Sequence, residues 1–501
     1  MRRRLAGLVI ALSVAISGPA LAQQQDPDHS IDKLGLDPGE PQAPSPPPAV
    51  PFGVQPAQSK ELTLDFHGYL LLPMEIGMHD RLNPTAGESD VVLHTPPLIP
   101  QYPEGFEYTG VIPTPWVQMN FLYGNSTVYA TTILAATTLG DAAGYYNTTA
   151  QLGVNDAFIT VNASKPIGIP FEVHVGAMTG RYGAMGAYDI GRYGTPLIAQ
   201  TNTIGETIEA SIPLGRQFKL MLEQGFGGQL ARPPAGLVPA GWNGFANVNA
   251  GATFINHLHA GLAYGKNFRL AVHYLTAFTQ DDQVPSGLIP DGRIVVMGGE
   301  AHLTGQFGHI YAGLASTQAT NAATVSGAIR ILNAQGGQDL MNEYLGPNSN
   351  GNGSLTTFGA EYDVSVSRMI FGQAYTGKSA DILVSLFGIG TEVKSDDATF
   401  NNVLKIKGGA EVTYDFLPFM GVSERFDHVR LNASDSRQAF SIFSTRLLFH
   451  TNWLAREEIA LQYSYFEDGI NVYVRTGYPP VIDPSANPDA DVLSLIGTVW
   501  W

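Results

Sequence analysis

The densest group of side chains with binding chemistry lies between residues 181 and 193. Two arginine–tyrosine pairs and one aspartate fall within these thirteen residues: Arg181, Tyr182, Asp189, Arg192 and Tyr193. Guanidinium and carboxylate groups bond hydroxyls, and a tyrosine ring stacks on flat apolar faces such as the CH face of a sugar. The spacing suits a constriction loop that holds small polar solutes weakly. A solvated loop with no ligand is the alternative.

Other candidate binding residues are scattered along segments in which polar and apolar side chains alternate. They are the polar members of those segments: Asp65, His67, Tyr69, Arg269, Lys405, Lys407, Glu411 and Arg446. Successive side chains of a strand point to opposite faces, so we expect all of these residues on one watery face. Taken singly, each is also explained by plain solvation of that face.

Four histidines fall on the same polar phase: His67, His174, His273 and His450. Imidazole can ligate a metal or change its charge near neutral pH. No close His/Asp spacing accompanies these residues. We therefore expect solvated histidines, with neither a metal nor a cofactor bound.

The sequence carries no catalytic signature. It contains no GxSxG, HExxH or phosphate-binding loop, and the absence of cysteine excludes thiol catalysis. The formal charge of −17 argues against a nucleic-acid partner, because nucleic acid selects clustered Lys and Arg. We expect a protein that is not an enzyme.

The alternation of polar and apolar residues recurs through most of the chain. Around Arg269, for example, Phe268, Leu270 and Val272 alternate with Arg269 and His273. Charged residues recur on one face only, which is typical of a barrel with a lipid-facing outside and a watery inside. Eighteen segments show the pattern: 62–77, 114–124, 126–138, 150–162, 170–180, 204–214, 217–229, 250–263, 267–278, 292–304, 307–317, 354–366, 367–376, 380–393, 402–415, 438–450, 456–468 and 491–501.

The predicted fold is all-β, a transmembrane antiparallel β-barrel of about 16–18 strands around an aqueous channel. We expect tight turns such as Gly124-Asn125-Ser126 on one rim. On the other rim we expect the long connections: 79–112, 181–203, 228–249, 279–291, 318–353 and 469–490. Within the 318–353 connection, Thr324–Ala334 predicts a short helix that folds into the pore or lies over it.

The N-terminal residues predict export. Residues 1–22 combine three arginines, a short apolar stretch and an Ala-Leu-Ala site, the pattern of a secretory signal peptide. Residues 23–60 are rich in proline and predict a disordered periplasmic linker. Residues 61–501 form the predicted barrel, in the bacterial outer membrane. Only 14 % of residues are charged, against about a quarter in ordinary soluble domains.

The segment 492–501 (VLSLIGTVWW) predicts a strand with one apolar face. Leu493, Leu495, Val499 and Trp501 share that face, whereas Ser494 and Thr498 lie on the other. A barrel needs such a strand to pair with the first one and remove its edges, and an aromatic residue suits the membrane–water boundary. We therefore assign Trp501 to barrel closure and assembly. A buried final strand of a soluble β-sandwich is the alternative.

Several segments resemble the maltoporin (sugar porin) family. LDFHGY at 64–69 is similar to that family's first strand, and VWW at 499–501 is similar to its terminal aromatic pair. The stretches 176–194 and 204–215 resemble its strand–loop–strand with an Arg–aromatic pair, an Asp and a following Glu. The resemblance implies eighteen antiparallel strands, a homotrimer and the diffusion of sugars along aromatic and charged residues.

These observations predict an outer-membrane channel for passive diffusion of small hydrophilic solutes, with sugars as one candidate class. Its other expected partners are outer-membrane lipid and lipopolysaccharide. The leading alternative is a closed or plugged barrel that acts as a scaffold or surface-interaction protein. A barrel with lipase or protease activity is the weakest alternative.

Overall fold

The structure is a computed structural model that describes residues 61–77, 116–137, 151–182, 199–230, 252–265, 267–280, 291–305, 307–321, 329–330, 352–371, 380–396, 401–430, 432–434, 439–451, 456–468, 472–473, 481–482 and 490–501. The predicted signal peptide and Pro-rich linker lie outside these ranges. So do Asp189, Arg192 and Tyr193 of the predicted constriction loop.

The described chain is almost entirely β-strand. The strands are β1 (Thr63–Gly77), β2 (Trp116–Gly124), β3 (Val128–Thr137), β4 (Gln151–Asn162), β5 (Phe171–Tyr182), β6 (Ala199–Pro213), β7 (Phe218–Leu230), β8 (Ala252–Tyr264), β9 (Phe268–Gln280), β10 (Arg293–Gly305), β11 (Gly308–Thr320), β12 (Ile329–Arg330), β13 (Gly353–Ser365), β14 (Asp381–Ser395), β15 (Val403–Leu417), β16 (Met420–Arg430), β17 (Ala439–Thr451), β18 (Arg456–Asp468), β19 (Val472–Tyr473), β20 (Val481–Ile482) and β21 (Ala490–Trp500).

Eighteen of the described strands, β1–β11, β13–β18 and β21, form one ring. Each pairs antiparallel with the strands before and after it, and β21 pairs with both β18 and β1. The predicted closure of the last strand on the first is therefore confirmed, as is the predicted antiparallel barrel. Within the described part of the chain, strands β19 and β20 pair with each other and with no other strand.

The two faces of the barrel differ in chemistry. Outward-facing side chains are apolar and exposed: Leu64, Val272 and Leu314 are 65 %, 58 % and 55 % exposed. Residues on the opposite phase are polar and buried, as at His174 and Glu209. A ladder closed on itself leaves no edge strand in the ring, and an apolar exterior suits lipid, so the chain is an outer-membrane-type β-barrel.

The alternation predicts charged side chains on the inner face only. The structure also places charged side chains on the outer face. Glu206 and Glu424 both lie on the outward phase and are exposed. The Glu424 carboxylate accepts a hydrogen bond from the Thr445 hydroxyl at 2.6 Å, which stabilises it among apolar neighbours.

The two rims also differ, as predicted. At one rim most connections are tight; between β2 and β3 the Asn125 side-chain oxygen accepts hydrogen bonds from the backbone N–H groups of Thr127 and Val128. Such Asx geometry closes a turn within a few residues. The alternating strand directions place every predicted long connection at the opposite rim.

Two strand predictions were wrong, one strand too many and one too few, so the predicted number of strands is unchanged. Residues 367–376 were predicted as a strand, but Val366–Phe371 form helix α2. It follows α1 (Ser164–Ile167) as the second short helix in the described ranges. The Ser365 hydroxyl caps α2 by accepting from the Arg368 N–H at 3.1 Å. Neither helix in the described part of the chain is long and apolar enough to span a bilayer.

The second error is the missed strand β16. Charged residues occupy both of its phases, with Glu424 outside and Arg425 and Asp427 inside, so the apolar–polar alternation is hidden. Leu417 of β15 pairs directly with Met420 of β16, which leaves only a two-residue turn between the strands. The turn residues Pro418 and Phe419 lack the Asn-Gly, Asp-Gly or Gly-X pair that signals a two-residue hairpin in a sequence.

The predicted helix Thr324–Ala334 is also corrected where the structure describes it. Ile329 and Arg330 form strand β12, which pairs with Thr201 and Gln200 at the start of β6. Strand β6 starts at Ala199, but its pairing with β7 starts only at Ile204. The first residues of β6 therefore have a free strand edge on the β7 side, to which β12 can pair. The connection from β11 to β13 therefore reaches across the long-loop rim to β6.

Candidate functional site: the inner wall of the barrel

The cross-strand register places several predicted binding residues on the inner wall. Asp65 and His67 pair with Leu122 and Asn120 of β2. Arg269, Glu411 and Arg446 face inwards and are buried. For the remaining members the structure describes the backbone alone: Tyr69, Arg181, Tyr182, Lys405 and Lys407.

An arginine–acid cluster occupies the wall on β15–β17 and consists of Glu411, Arg425, Asp427 and Arg446. Arg425 donates two hydrogen bonds of 2.7 Å to the two carboxylate oxygens of Asp427. Its Nη1 lies 3.5 Å from Glu411 Oε2, and Arg446 Nη1 lies 3.7 Å from Glu411 Oε1. Two cations and two anions are thus neutralised within the wall, with one bidentate pair fixing the geometry.

Neighbouring groups hold this cluster in place. The Ser423 hydroxyl donates to Glu411 Oε1 at 2.9 Å, and Thr413 donates to Ser423 at 2.9 Å. The Arg425 guanidinium carbon lies 4.8 Å from the ring centroid of Phe387. A charged group with this many bonds is pre-organised, which lowers the entropy cost of holding it in one conformation.

A histidine–glutamate cluster occupies the wall on β7–β10 and consists of Glu223, His257, His259, His273 and Glu300. His257 Nε2 lies 2.8 Å from Glu223 Oε1, and His259 Nε2 lies 3.4 Å from Glu300 Oε1. The rings of His259 and His273 stack with centroids 5.5 Å apart. Imidazole and carboxylate groups so arranged can share protons or coordinate a cation.

The same chemistry extends to the neighbouring strands β5 and β6. His174 Nε2 lies 3.5 Å from Glu209 Oε1 and 3.9 Å from Glu172 Oε2. The other nitrogen of His174 bonds the Thr160 hydroxyl at 2.8 Å. This His174 group and the histidine–glutamate cluster together carry four glutamates, so this side of the wall is acidic.

Sequence reasoning missed the partners that build both clusters. Arg425 and Asp427 lie on β16, which was not predicted. His257 and His259 form an His-x-His pair that puts two imidazoles on one face of a strand, which is a usable signal. The approach of Glu223 and Glu300 depends on the register of four strands, which a single sequence does not specify.

The clusters are shielded from water. Arg446 and Gln462 are 0 % exposed and His174 is 1 % exposed, whereas outward apolar residues are half exposed. These inner-wall side chains are therefore covered by their neighbours on the wall, and the outward apolar side chains are not.

In fold, the chain is similar to the outer-membrane protein OpdK of Pseudomonas aeruginosa, with a TM-score of 0.40, 11 % identity, and coverage of 87 % of this chain and 98 % of that one. It is similar to the outer-membrane channel DcaP of Acinetobacter baumannii, with a TM-score of 0.38, 10 % identity and coverage of 89 % and 99 %. It is also similar to OmpT, an outer-membrane protein of Vibrio cholerae, with a TM-score of 0.38, 10 % identity and coverage of 89 % and 100 %.

No protein-family model and no curated protein matches the sequence. What the inner wall can do follows from its own geometry: a ring of strands encloses a polar interior lined by paired charges.

Proposed function

We propose that this protein is an outer-membrane channel that lets small hydrophilic solutes diffuse passively through its polar interior. The observation that carries the proposal is a closed ring of eighteen strands with an apolar outside and a charged inside. Wall side chains fill the interior of a barrel of about eight strands, whereas about sixteen or more leave room for water. Water and polar solutes are the natural contents of such an interior.

Sugars are the solute class that the sequence resemblance to maltoporins favours. The inner wall offers groups that bond hydroxyls and inward aromatic residues on which a sugar ring could stack. His302 stacks on Tyr311 with ring centroids 4.3 Å apart, and both lie on the inward phase. Assembly as a homotrimer and contact with lipopolysaccharide remain predictions, the first of which chemical cross-linking of the folded protein would test.

Single-channel recording tests the channel proposal. Folded protein reconstituted in a planar bilayer should give stepwise conductance, and a permeating sugar at millimolar concentration should reduce the ion current. Stepwise conductance without any effect of sugars would retain the channel and remove the sugar assignment. Folded, inserted protein that gives no conductance would refute the channel itself.

The closed-barrel alternative has one observation in its favour, the near-zero exposure of wall residues such as Arg446 and Gln462. A barrel blocked at that height would act as a scaffold or surface-interaction protein. It predicts negligible conductance together with normal folding. The same bilayer experiment therefore separates the two functions, with heat-modifiable migration on gels as the proof of folding.

A further inference from the structure

Three potential ligands converge from three adjacent strands of the inner wall. His259 of β8 lies directly opposite His273 of β9 in the antiparallel register, and His273 lies opposite Gly298 of β10. Glu300, two residues beyond Gly298, points to the same face. The side chains of the two histidines and the glutamate are all buried.

The distances match those of a single metal ion. One ligand atom from each of His259, His273 and Glu300 lies within 4.8 Å of the other two. Ligands about 2.0–2.2 Å from a tetrahedral ion are about 3.4 Å apart. His259 Nε2 and Glu300 Oε1 already stand at 3.4 Å. The His273 nitrogen stands within 4.8 Å of the other two ligand atoms, so it must move by at most about 1.4 Å to reach that spacing.

We propose that His259, His273 and Glu300 form a binding site for a divalent transition-metal ion on the inner wall of the barrel. Two imidazoles and one carboxylate suit zinc or a neighbouring first-row metal, whereas magnesium and calcium prefer oxygen ligands alone. The three protein ligands leave a coordination position that faces the interior, where water or a solute group completes the shell. The ion bridges β8, β9 and β10.

Glu223 supports the site from behind. Its Oε2 lies 4.0 Å from Nδ1 of His259, the nitrogen that does not face Glu300. Its Oε1 lies 2.8 Å from His257 Nε2. At 4.0 Å this carboxylate is beyond hydrogen-bond distance, and it acts on the imidazole through its charge, which raises the basicity of a metal-binding histidine. Glu223 therefore tunes the site electrostatically.

A glycine on β10, Gly298, leaves space for the imidazole ring of His273. A Cβ atom at Gly298 would stand 3.0 Å from Cδ2 of His273 and 2.8 Å from the Leu314 carbonyl oxygen. Glycine at this position lets the His273 imidazole lie close over β10, towards Glu300. Any larger residue would push the ring away from the other two ligands.

The charge of the surroundings also favours a cation. Glu223 and Glu300 belong to the cluster, Glu209 lies opposite Glu223 in register, and Glu172 lies opposite Glu209. Four carboxylates along adjacent inner positions attract a divalent ion into a low-dielectric wall. Arg269, opposite His302, is the nearby fixed cation on β9.

The proposal is tested by measuring metal binding to the full folded chain. This measurement does not depend on conductance, so the metal site can be confirmed or refuted independently of the channel function. Protein in detergent is titrated with Zn²⁺ by calorimetry, with Mg²⁺ in parallel. We expect one Zn²⁺ per chain and no Mg²⁺ binding. His273→Gln and Glu300→Gln should each abolish the tight site, and Glu223→Gln should weaken it about 10- to 100-fold.

His450→Gln is the matched control, because His450 Nδ1 also faces a glutamate, Glu458, at 3.4 Å on the inner wall. Among the residues that the structure describes, His450 is not part of a group of potential metal ligands. Zinc binding should be unchanged in this variant. Equal losses in His450→Gln and His273→Gln, or no stoichiometric binding by the parent protein, would overturn the site. If His273→Gln fails to fold, the near-isosteric Glu300→Gln decides the outcome on its own.

Discussion

Gly68 and Trp501 exchange both backbone hydrogen bonds, each 3.0 Å long, where the last strand of the barrel meets the first. The Trp501 indole lies over the α-carbon of Gly68, so that a Cβ atom there would stand 2.5 Å from Cζ2. The ring also lies 6.0 Å from the ring of Phe66. Closure thus depends on a glycine that leaves space for an aromatic residue.

Gly68→Ala should weaken the closure. The new methyl group would also meet the Gln118 carbonyl oxygen at 2.4 Å, so β1 must shift against β2 or β21. Overpacking of this kind costs about 1–3 kcal/mol. Urea unfolding followed on heat-modifiable gels measures the loss. Gly497→Ala, in β21 with no atom within 4 Å of the added Cβ, is the control and should be nearly neutral. Equal losses in both would contradict this role of Gly68.

Leu314→Arg tests which face of the barrel meets lipid. Leu314 lies at the middle of β11, faces outwards and is 55 % exposed. An arginine on the lipid face near mid-membrane costs about 2–4 kcal/mol and near the interface about 0–1 kcal/mol. Phe307→Arg, at the rim just before β11 begins, should therefore be tolerated. The yield of folded protein in lipid vesicles of defined thickness measures the effect of each variant. If Phe307→Arg lowers this yield more than Leu314→Arg does, the assignment of the outer face is wrong.

Much of the fold could be predicted from the sequence because a barrel strand is specified locally. Every other residue in β9 or β21 must suit lipid. An apolar residue such as Leu270 or Leu495 therefore indicates which face of its strand points outwards, even when the neighbouring strands are unknown. The pattern failed where local chemistry departs from this rule. In β16, Glu424 is a charged residue at a position where the pattern requires an apolar one. At α2, the Ser365 hydroxyl caps a helix in a segment whose alternation predicts a strand.

The candidate site was predictable only in part. Arg269, Glu411 and Arg446 were found because each is the charged member of an alternating segment. Their partners depend on register, and a shift of one residue would turn every side chain of a strand to the other face. The pairing of His259 with His273, which brings two imidazoles together, is such a register-dependent fact.

Arg425→Met should destabilise the barrel strongly. The variant removes the bidentate partner of Asp427 and leaves two carboxylates buried in the wall. Breaking a buried ion pair from one side costs about 3–5 kcal/mol. Lys394→Met is the control, because the Lys394–Glu392 pair is exposed and contributes about 0–1 kcal/mol. The midpoint of urea unfolding distinguishes them. Similar midpoints would mean that the arginine–acid cluster is solvated.

Glu209→Gln tests whether the acidic side of the wall sets ion preference. Glu209 faces the interior and lies 3.5 Å from His174, whereas Glu206 on the same strand faces outwards. An acidic interior concentrates cations, so the channel should be cation-selective and Glu209→Gln should move the reversal potential in a KCl gradient towards zero. Glu206→Gln removes the same charge from the outer face and should leave the reversal potential unchanged. A shift of equal size in the two variants would show that the field comes from total charge and not from the wall.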